Sequence, residues 1–120
     1  MKIVNRDTFI RLPEGTVFTE WAPDWFGTLK IKGSSITWDY QDGNDYFELE
    51  LVDIEAHSSS SRFDILERAV NTGASVTMSF KETSRNGCFE YDQLYAVWDR
   101  RDIDGLIARL SQSLDEAYKS

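Results

Sequence analysis

His57 is the single histidine of the 120-residue chain, and it precedes four consecutive serines at 58–61. A histidine next to a hydroxyl, or paired with the single cysteine Cys88, could serve as a general base for a nucleophile. Residues this close in sequence rarely form such a constellation, and no nucleophile motif surrounds either partner. We therefore interpret His57 as a loop residue in front of a helix, and Cys88 as a small side chain at the start of a strand. An enzyme that depends on His57 is the least favoured alternative.

The acidic residues allow two further kinds of site. Oxygen donors cluster at 42–45, but Gly43 comes too early for a calcium loop and Leu49 stands where that loop needs a Glu. Glu48 and Glu50 would lie about 7 Å apart on one strand face, a spacing that suits glycosidases but is also that of a solvated face. The solvated face is favoured. With no phosphate loop or dinucleotide fingerprint either, the sequence predicts no metal, no cofactor and no enzyme.

Charge is the strongest signal for a partner. The chain has 13 Lys and Arg against 21 Asp and Glu, a net charge of −8. Between Lys32 and Arg62 there is no basic residue, while seven carboxylates lie in that interval. Direct binding to nucleic acid is disfavoured, because that affinity comes from Lys and Arg. A protein partner with a basic surface is favoured instead.

Aromatic residues share this acidic region, and together they form the predicted binding surface. Tyr and Trp beside carboxylates can stack on and pair with Arg or Lys of a partner. Trp21, Trp25 and Phe26 either extend this recognition surface or belong to the core and its rim. We call the following nine residues the acidic surface: Trp38, Asp39, Tyr40, Asp42, Asp45, Tyr46, Glu48, Glu50 and Asp53.

The alternative function is binding of a nucleotide-like small molecule between aromatic rings, in a protein that could be a homo-oligomer. It predicts a pocket lined by Trp or Tyr together with a cation such as Lys30, Lys32 or Arg62. The immunity proteins of bacterial toxins are a further alternative, because they use comparable acidic surfaces.

Three helices are predicted to position these residues. The first is capped by Asn5 and ends before Pro13. The second begins near Ser61 and ends at Gly73, and the third begins within 99–102. The third helix has an apolar stripe, made of Ile103, Leu106, Ile107, Leu110 and Leu114.

The strands are predicted from alternation. Leu29 and Ile31 alternate with Lys30 and Lys32 in a half-buried strand that Gly33 ends. The longest predicted strand is 46–54, with a hairpin turn at 42–43 before it and a bulge near 51–52 where its parity reverses. On one face it carries Phe47, Leu49 and Leu51, and on the other Tyr46, Glu48 and Glu50. Further strands are predicted at 16–21, 36–40, 75–80 and 89–98, with a hairpin turn at 86–87.

This order predicts one α+β domain at 1–120, with a mainly antiparallel sheet of about five to six strands and two helices packed on one face. No stretch approaches the roughly 20 apolar residues of a membrane span, and the first residues lack the apolar core of a secretion signal. A cytoplasmic location without membrane association is therefore expected. The single cysteine fits a reducing compartment.

Two segments carry a resemblance. The segment 93–99 with the stripe that follows it, and the segment 12–17, resemble small acidic proteins of unknown function encoded by bacteriophages and prophages. The resemblance covers about a third of the chain. It implies an accessory protein in the host cytoplasm, in a group that includes inhibitors of host defence acting by binding. It assigns no site residue.

Overall fold

The computed structural model describes residues 1–38, 41–86 and 92–118, and the side chains of these residues except those of 37, 38 and 41–44. Three helices and nine strands lie in these ranges. In chain order they are β1 (Lys2–Asn5), α1 (Arg6–Ile10), β2 (Val17–Ala22), β3 (Trp25–Phe26), β4 (Lys30–Trp38), β5 (Gln41–Glu50), β6 (Asp53–Ile54), α2 (Ser59–Thr72), β7 (Met78–Ser79), β8 (Glu82–Asn86), β9 (Leu94–Val97) and α3 (Arg100–Ala117).

Within these residues, seven strands form one antiparallel sheet in the order β1, β9, β2, β4, β5, β8, with β3 added beside β2. Strands β6 and β7 form a second, two-stranded sheet. The α+β class and the antiparallel sheet are therefore confirmed. None of the helices in the described residues is long and apolar enough to cross a membrane.

The core is an aromatic cluster between α1 and the large sheet. Phe9 of α1 is fully buried and stacks on Tyr95 of β9, with ring centroids 4.0 Å apart and an interplanar angle of 6°. Phe18 and Tyr46 meet the Phe9 ring edge-on, at centroid distances of 4.6 and 5.1 Å. Such edge and stacked geometries suit the ring quadrupoles. A helix of five residues thus supplies the centre of the core.

Each helix begins at a capping residue, and for α1 and α3 this start lies where the sequence predicts it. Asn5 Oδ1 accepts a hydrogen bond from the Thr8 amide at 2.9 Å, which fixes the start of α1. Asp99 and Asp102 form a reciprocal capping box at the start of α3. Helix α2 begins earlier than predicted, because Ser58 is its N-cap, and it ends at Gly73 with φ of 73°.

In β4 and β5, the side chains that face the core are those that the alternation predicted to face solvent. Lys32 is 2% exposed and Glu48 5%, whereas Phe47 is 39% exposed. Tyr46, which shares the parity of Glu48, is fully buried in the aromatic cluster. Tyr46 packs against the other rings of the aromatic cluster. The strand face that carries Tyr46 is therefore the inner one, and Lys32 and Glu48 on that face are buried as well.

Strand boundaries also differ from the prediction. Gly33 lies inside β4, where an added Cβ would be 3.0 Å from the Phe47 carbonyl oxygen, so its place reflects a close approach of β5. Trp38 pairs with Gln41, so the connection from β4 to β5 comes before 42–43 and not at it. No bulge occurs at 51–52: β5 ends at Glu50 and β6 opens the second sheet at Asp53. The predicted turn at 86–87 falls partly outside the described residues.

The two longer helices differ most from the expected packing on one face of the sheet. No residue of α2 or α3, all of which are described, is buried. The radius of gyration is 17.0 Å, whereas a single domain of this length has about 14 Å. The chain is therefore extended, and both helices keep their apolar stripes accessible.

Candidate functional site

Two residues of the acidic surface are inside the protein. Tyr46 belongs to the aromatic cluster, so no partner can reach its ring. Glu48 Oε1 accepts from Lys30 Nζ at 3.0 Å and from Ser84 Oγ at 3.4 Å. The prediction that both residues contact a partner is therefore wrong, because they lie on the inner face of the sheet.

Two further carboxylates of the acidic surface are held by cations of the same chain. Asp45 pairs with Arg85 of β8, and Asp53 Oδ1 accepts from Arg62 Nε at 3.0 Å. The backbone amide of Ile54 lowers the pKa of Asp53, and Arg62 lowers it further. Both carboxylates already have a partner in the same chain, which reduces what they can offer to another protein.

The structure describes little of the rest of the acidic surface. Glu50 is half-buried on β5. Asp39 and Tyr40 lie outside the described residues, as do the side chains of Trp38 and Asp42. The part of the surface that is described is therefore a set of internal ion pairs on two strands, and not one exposed acidic face.

Sequence reasoning missed a buried polar cluster around Lys32. Its Nζ donates to Ser35 Oγ at 2.7 Å and to the Gly33 carbonyl at 3.1 Å. Ser35 Oγ in turn donates to the Ile10 carbonyl at 2.6 Å, which joins the end of α1 to β4. Lys32 Nζ also lies 5.9 Å from the centre of the Phe9 ring, within cation–π range.

Burial lowers the pKa of Lys32, and the charge of Glu14 opposes this effect. An amine with a lowered pKa can act as a nucleophile or a base in an enzyme. Lys32 is 2% exposed, however, and it lines none of the three cavities described below. Its contacts fix α1 against the sheet and so help to hold the aromatic core in place. The sequence feature that could have revealed the burial of Lys32 is the aromatic residue Tyr46, which lies on the buried face of the sheet.

The exposed aromatic pair of β3 is the strongest candidate for contact with another molecule. Trp25 is 52% and Phe26 54% exposed. The strand is held by pairing with β2, Ala22 opposite Trp25 and Trp21 opposite Phe26. The Gly27 amide donates to the Glu20 carbonyl at 2.8 Å and closes the hairpin. Neither ring belongs to the core, so the alternatives that stay open for this pair are the rim of the core and a recognition surface.

The backbone around this hairpin is tied to the neighbouring strand. Gln93 Nε2 donates to the Trp21 carbonyl at 3.2 Å and to the Leu94 carbonyl at 2.7 Å, just before β9. Asp24, in the turn between β2 and β3, is exposed. The hairpin thus presents two aromatic rings and a carboxylate on a fixed backbone, which limits the conformational entropy lost on binding.

Three cavities test the small-molecule alternative. Two lie beside α2, with volumes of about 470 and 360 Å³, and His57 lines both. A third of about 500 Å³ lies along the apolar face of α2, next to Phe63 and Val70. None of the three is lined by Trp or Tyr, so none is the aromatic pocket that the alternative predicts.

Only some of the residues considered for catalysis lie in the part of the chain that the structure describes. His57 is exposed, and the neighbouring Ser58 Oγ accepts from the Ser61 amide as the helix cap. Cys88 lies outside the described residues. Among the residues that the structure describes, no group of three or more His, Cys, Asp or Glu could hold a metal ion.

Comparisons of the chain with protein-family models, with curated proteins and with solved structures found no match. The resemblance to small acidic phage proteins therefore stays a prediction.

Proposed function

We propose that this protein is a non-enzymatic binding protein that contacts a protein partner through Trp25 and Phe26. The observation that supports this is the exposure of both rings on a short strand whose backbone is fixed by β2. Tryptophan is enriched among the residues that dominate binding energies at interfaces. Trp and Phe have only two rotatable side-chain bonds, so covering these rings costs little side-chain entropy and their burial would stabilise a complex.

The partner has a basic surface. The net charge of −8 is unchanged by the internal pairs of Asp45 and Asp53, because both members of each pair are already counted in it. It therefore still steers cations towards the protein. Near the aromatic pair, Asp24 can accept a hydrogen bond from an Arg or Lys that stacks on the Trp25 ring. Compared with the acidic surface predicted from the sequence, the contact moves from β5 to the β2–β3 hairpin.

The role that fits such contact is inhibition by occupation of a basic site. The resemblance of 93–99 and 12–17 to phage accessory proteins supports this role and the host cytoplasm as its location. A protein that covers a basic site needs no catalytic group of its own, and a rigid contact suits a long-lived complex. We propose no cofactor.

The test is affinity capture with matched variants. We expect immobilised wild-type protein to retain a basic protein from a lysate of the cells in which the chain occurs. The double variant W25A/F26A should lose it, while F63A, which removes an aromatic ring of 65% exposure from α2, should keep it. Asp24→Lys should slow association, and the wild-type association rate should fall as salt is added.

All variants should unfold in urea as the wild type does, because the altered side chains are exposed. Retention of the same proteins by W25A/F26A would contradict the proposed contact. Capture of an acidic protein, or of a nucleic acid alone, would contradict the proposed partner class.

A further inference from the structure

The accessible surface of the chain is too large for a single domain of its mass. It is 8834 Å², whereas a folded monomer of this mass has roughly 6,600 Å². The excess is about 2,200 Å². An obligate homodimer buries about 2,000 to 5,000 Å² in total, so each chain supplies about half of that. The excess is enough for such a contribution.

Helix α3 supplies an apolar seam. Its apolar residues repeat at intervals of four and three, through Ile103, Ile107, Leu110, Leu114 and Ala117. This is the spacing at which two helices pack side by side. Ile107, Leu110 and Leu114 are 56, 57 and 61% exposed, so their own chain leaves the seam largely uncovered.

The charges of α3 favour contact with another copy of itself. The positions beside the seam carry few charges, with Leu106, Ser111 and Ser113 among them. The helix has three Arg and four Asp or Glu, a net charge of −1, so the remaining residues carry −7. Because α3 carries little of the net charge, the repulsion between two acidic chains is small where α3 of one meets α3 of the other.

We propose that two copies of the chain associate through α3, with the two helices antiparallel and Leu110 near the twofold axis. In this orientation the acidic remainders, each joined to the start of its own helix, lie at opposite ends of the pair. The parallel orientation would bring both remainders to the same end and align the two helix dipoles. The second copy covers the seam and part of the excess surface.

Sedimentation equilibrium with matched variants tests the association. Wild-type protein at micromolar concentration should have twice the mass of one chain. Leu110→Glu, which places a charge in the seam, should be a monomer. Ala108→Glu adds the same charge to an exposed position outside the seam and should remain a dimer.

The wild-type measurement and a second variant keep this test independent of any folding defect. Leu114→Asn, a neutral change, should weaken association by at least tenfold while the far-ultraviolet circular dichroism stays that of a folded protein. A monomeric wild type overturns the proposal. A dimer that survives both Leu110→Glu and Leu114→Asn also overturns it, because its interface is then elsewhere.

Spin labels at Arg101 distinguish the two orientations, in a Cys88→Ser background. If the helices are antiparallel around Leu110, the two labelled positions lie about 27 Å apart along the axis, from 1.5 Å per residue. Parallel helices would place them roughly 10 Å apart, the distance between packed axes. The longer distance supports the antiparallel pair, and the shorter one overturns that orientation.

Discussion

Helices α1 and α3 show how little the length of a helix says about its burial. Helix α1 has five residues, and its Phe9 is the centre of the aromatic core. Helix α3 has eighteen residues and a clear apolar stripe, yet none of its residues is buried. The difference lies in attachment. A stripe is buried only where the chain holds the helix against a matching surface.

Helix α1 is held at both ends. At its start, Asn5 both caps the helix and pairs with Leu94 in the sheet. At its end, the Ile10 carbonyl accepts from Ser35 of β4. Helix α3 is held mainly at its start, where the amino group of Met1 pairs with Asp102 at 2.8 Å. Its distal turns extend away from the sheet and are accessible to another molecule.

The largest expected effect comes from the centre of the core. Phe9→Ala should lower the free energy of unfolding by about 3 to 5 kcal/mol, because it leaves a cavity among three other aromatic rings. Phe63→Ala on α2 should change it by about 0.5 kcal/mol or less, because that ring is already 65% exposed. Urea denaturation of both variants measures the contrast. Equal losses would show that α2 is as well packed as α1.

A smaller, pH-dependent effect is expected at Lys32, which joins α1 to the sheet. Because burial lowers its pKa in the folded state, the unfolded chain binds more protons between that lowered pKa and the ordinary value of 10.5. The free energy of unfolding should therefore rise with pH through this interval. Lys32→Met should lack this rise, whereas the exposed Lys2→Met should keep it. Denaturation at a series of alkaline pH values measures the difference, and an identical rise in Lys32→Met would contradict the assignment.

The smallest effect is expected on α2. Val70 is 84% exposed, so Val70→Ser should change the free energy of unfolding by about 0.5 kcal/mol or less. Because α2 lies outside the proposed seam, the change should also be independent of protein concentration. Thermal denaturation at two concentrations checks both points. A loss well above 1 kcal/mol would indicate that this face of α2 is covered in solution.

The sequence predicted the elements better than their burial. Local signals gave the cap at Asn5, placed the start of α3 within 99–102 and gave the C-terminal glycine of α2, since capping depends on hydrogen bonds within a few residues. Alternation located β2, β4, β5 and β9 but not β1, β3 or β8, and it assigned the wrong side of β4 and β5 to the core. A period of two tells which residues share a face; it does not tell which face meets the aromatic cluster.

The candidate site was predicted in part. The choice between core and recognition for Trp25 and Phe26 was left open by the sequence, because a Trp is as suited to one as to the other. Their exposure on β3 shows that they lie outside the core, and recognition through them stays a proposal. For Glu48 and Asp53 the prediction of free surface carboxylates failed, because their partners Lys30 and Arg62 are 18 and 9 residues away in sequence.

What the sequence alone determined is the charge of −8, the helices with their apolar stripes and the α+β class, because each depends on composition or on short-range spacing. The tertiary structure decided which apolar groups are buried and which carboxylates are paired. These depend on strand order and on where each helix is attached, and so on contacts between residues far apart in the chain. For this reason the short α1 fills the core, while the aromatic pair of β3 and most of the seam of α3 stay exposed.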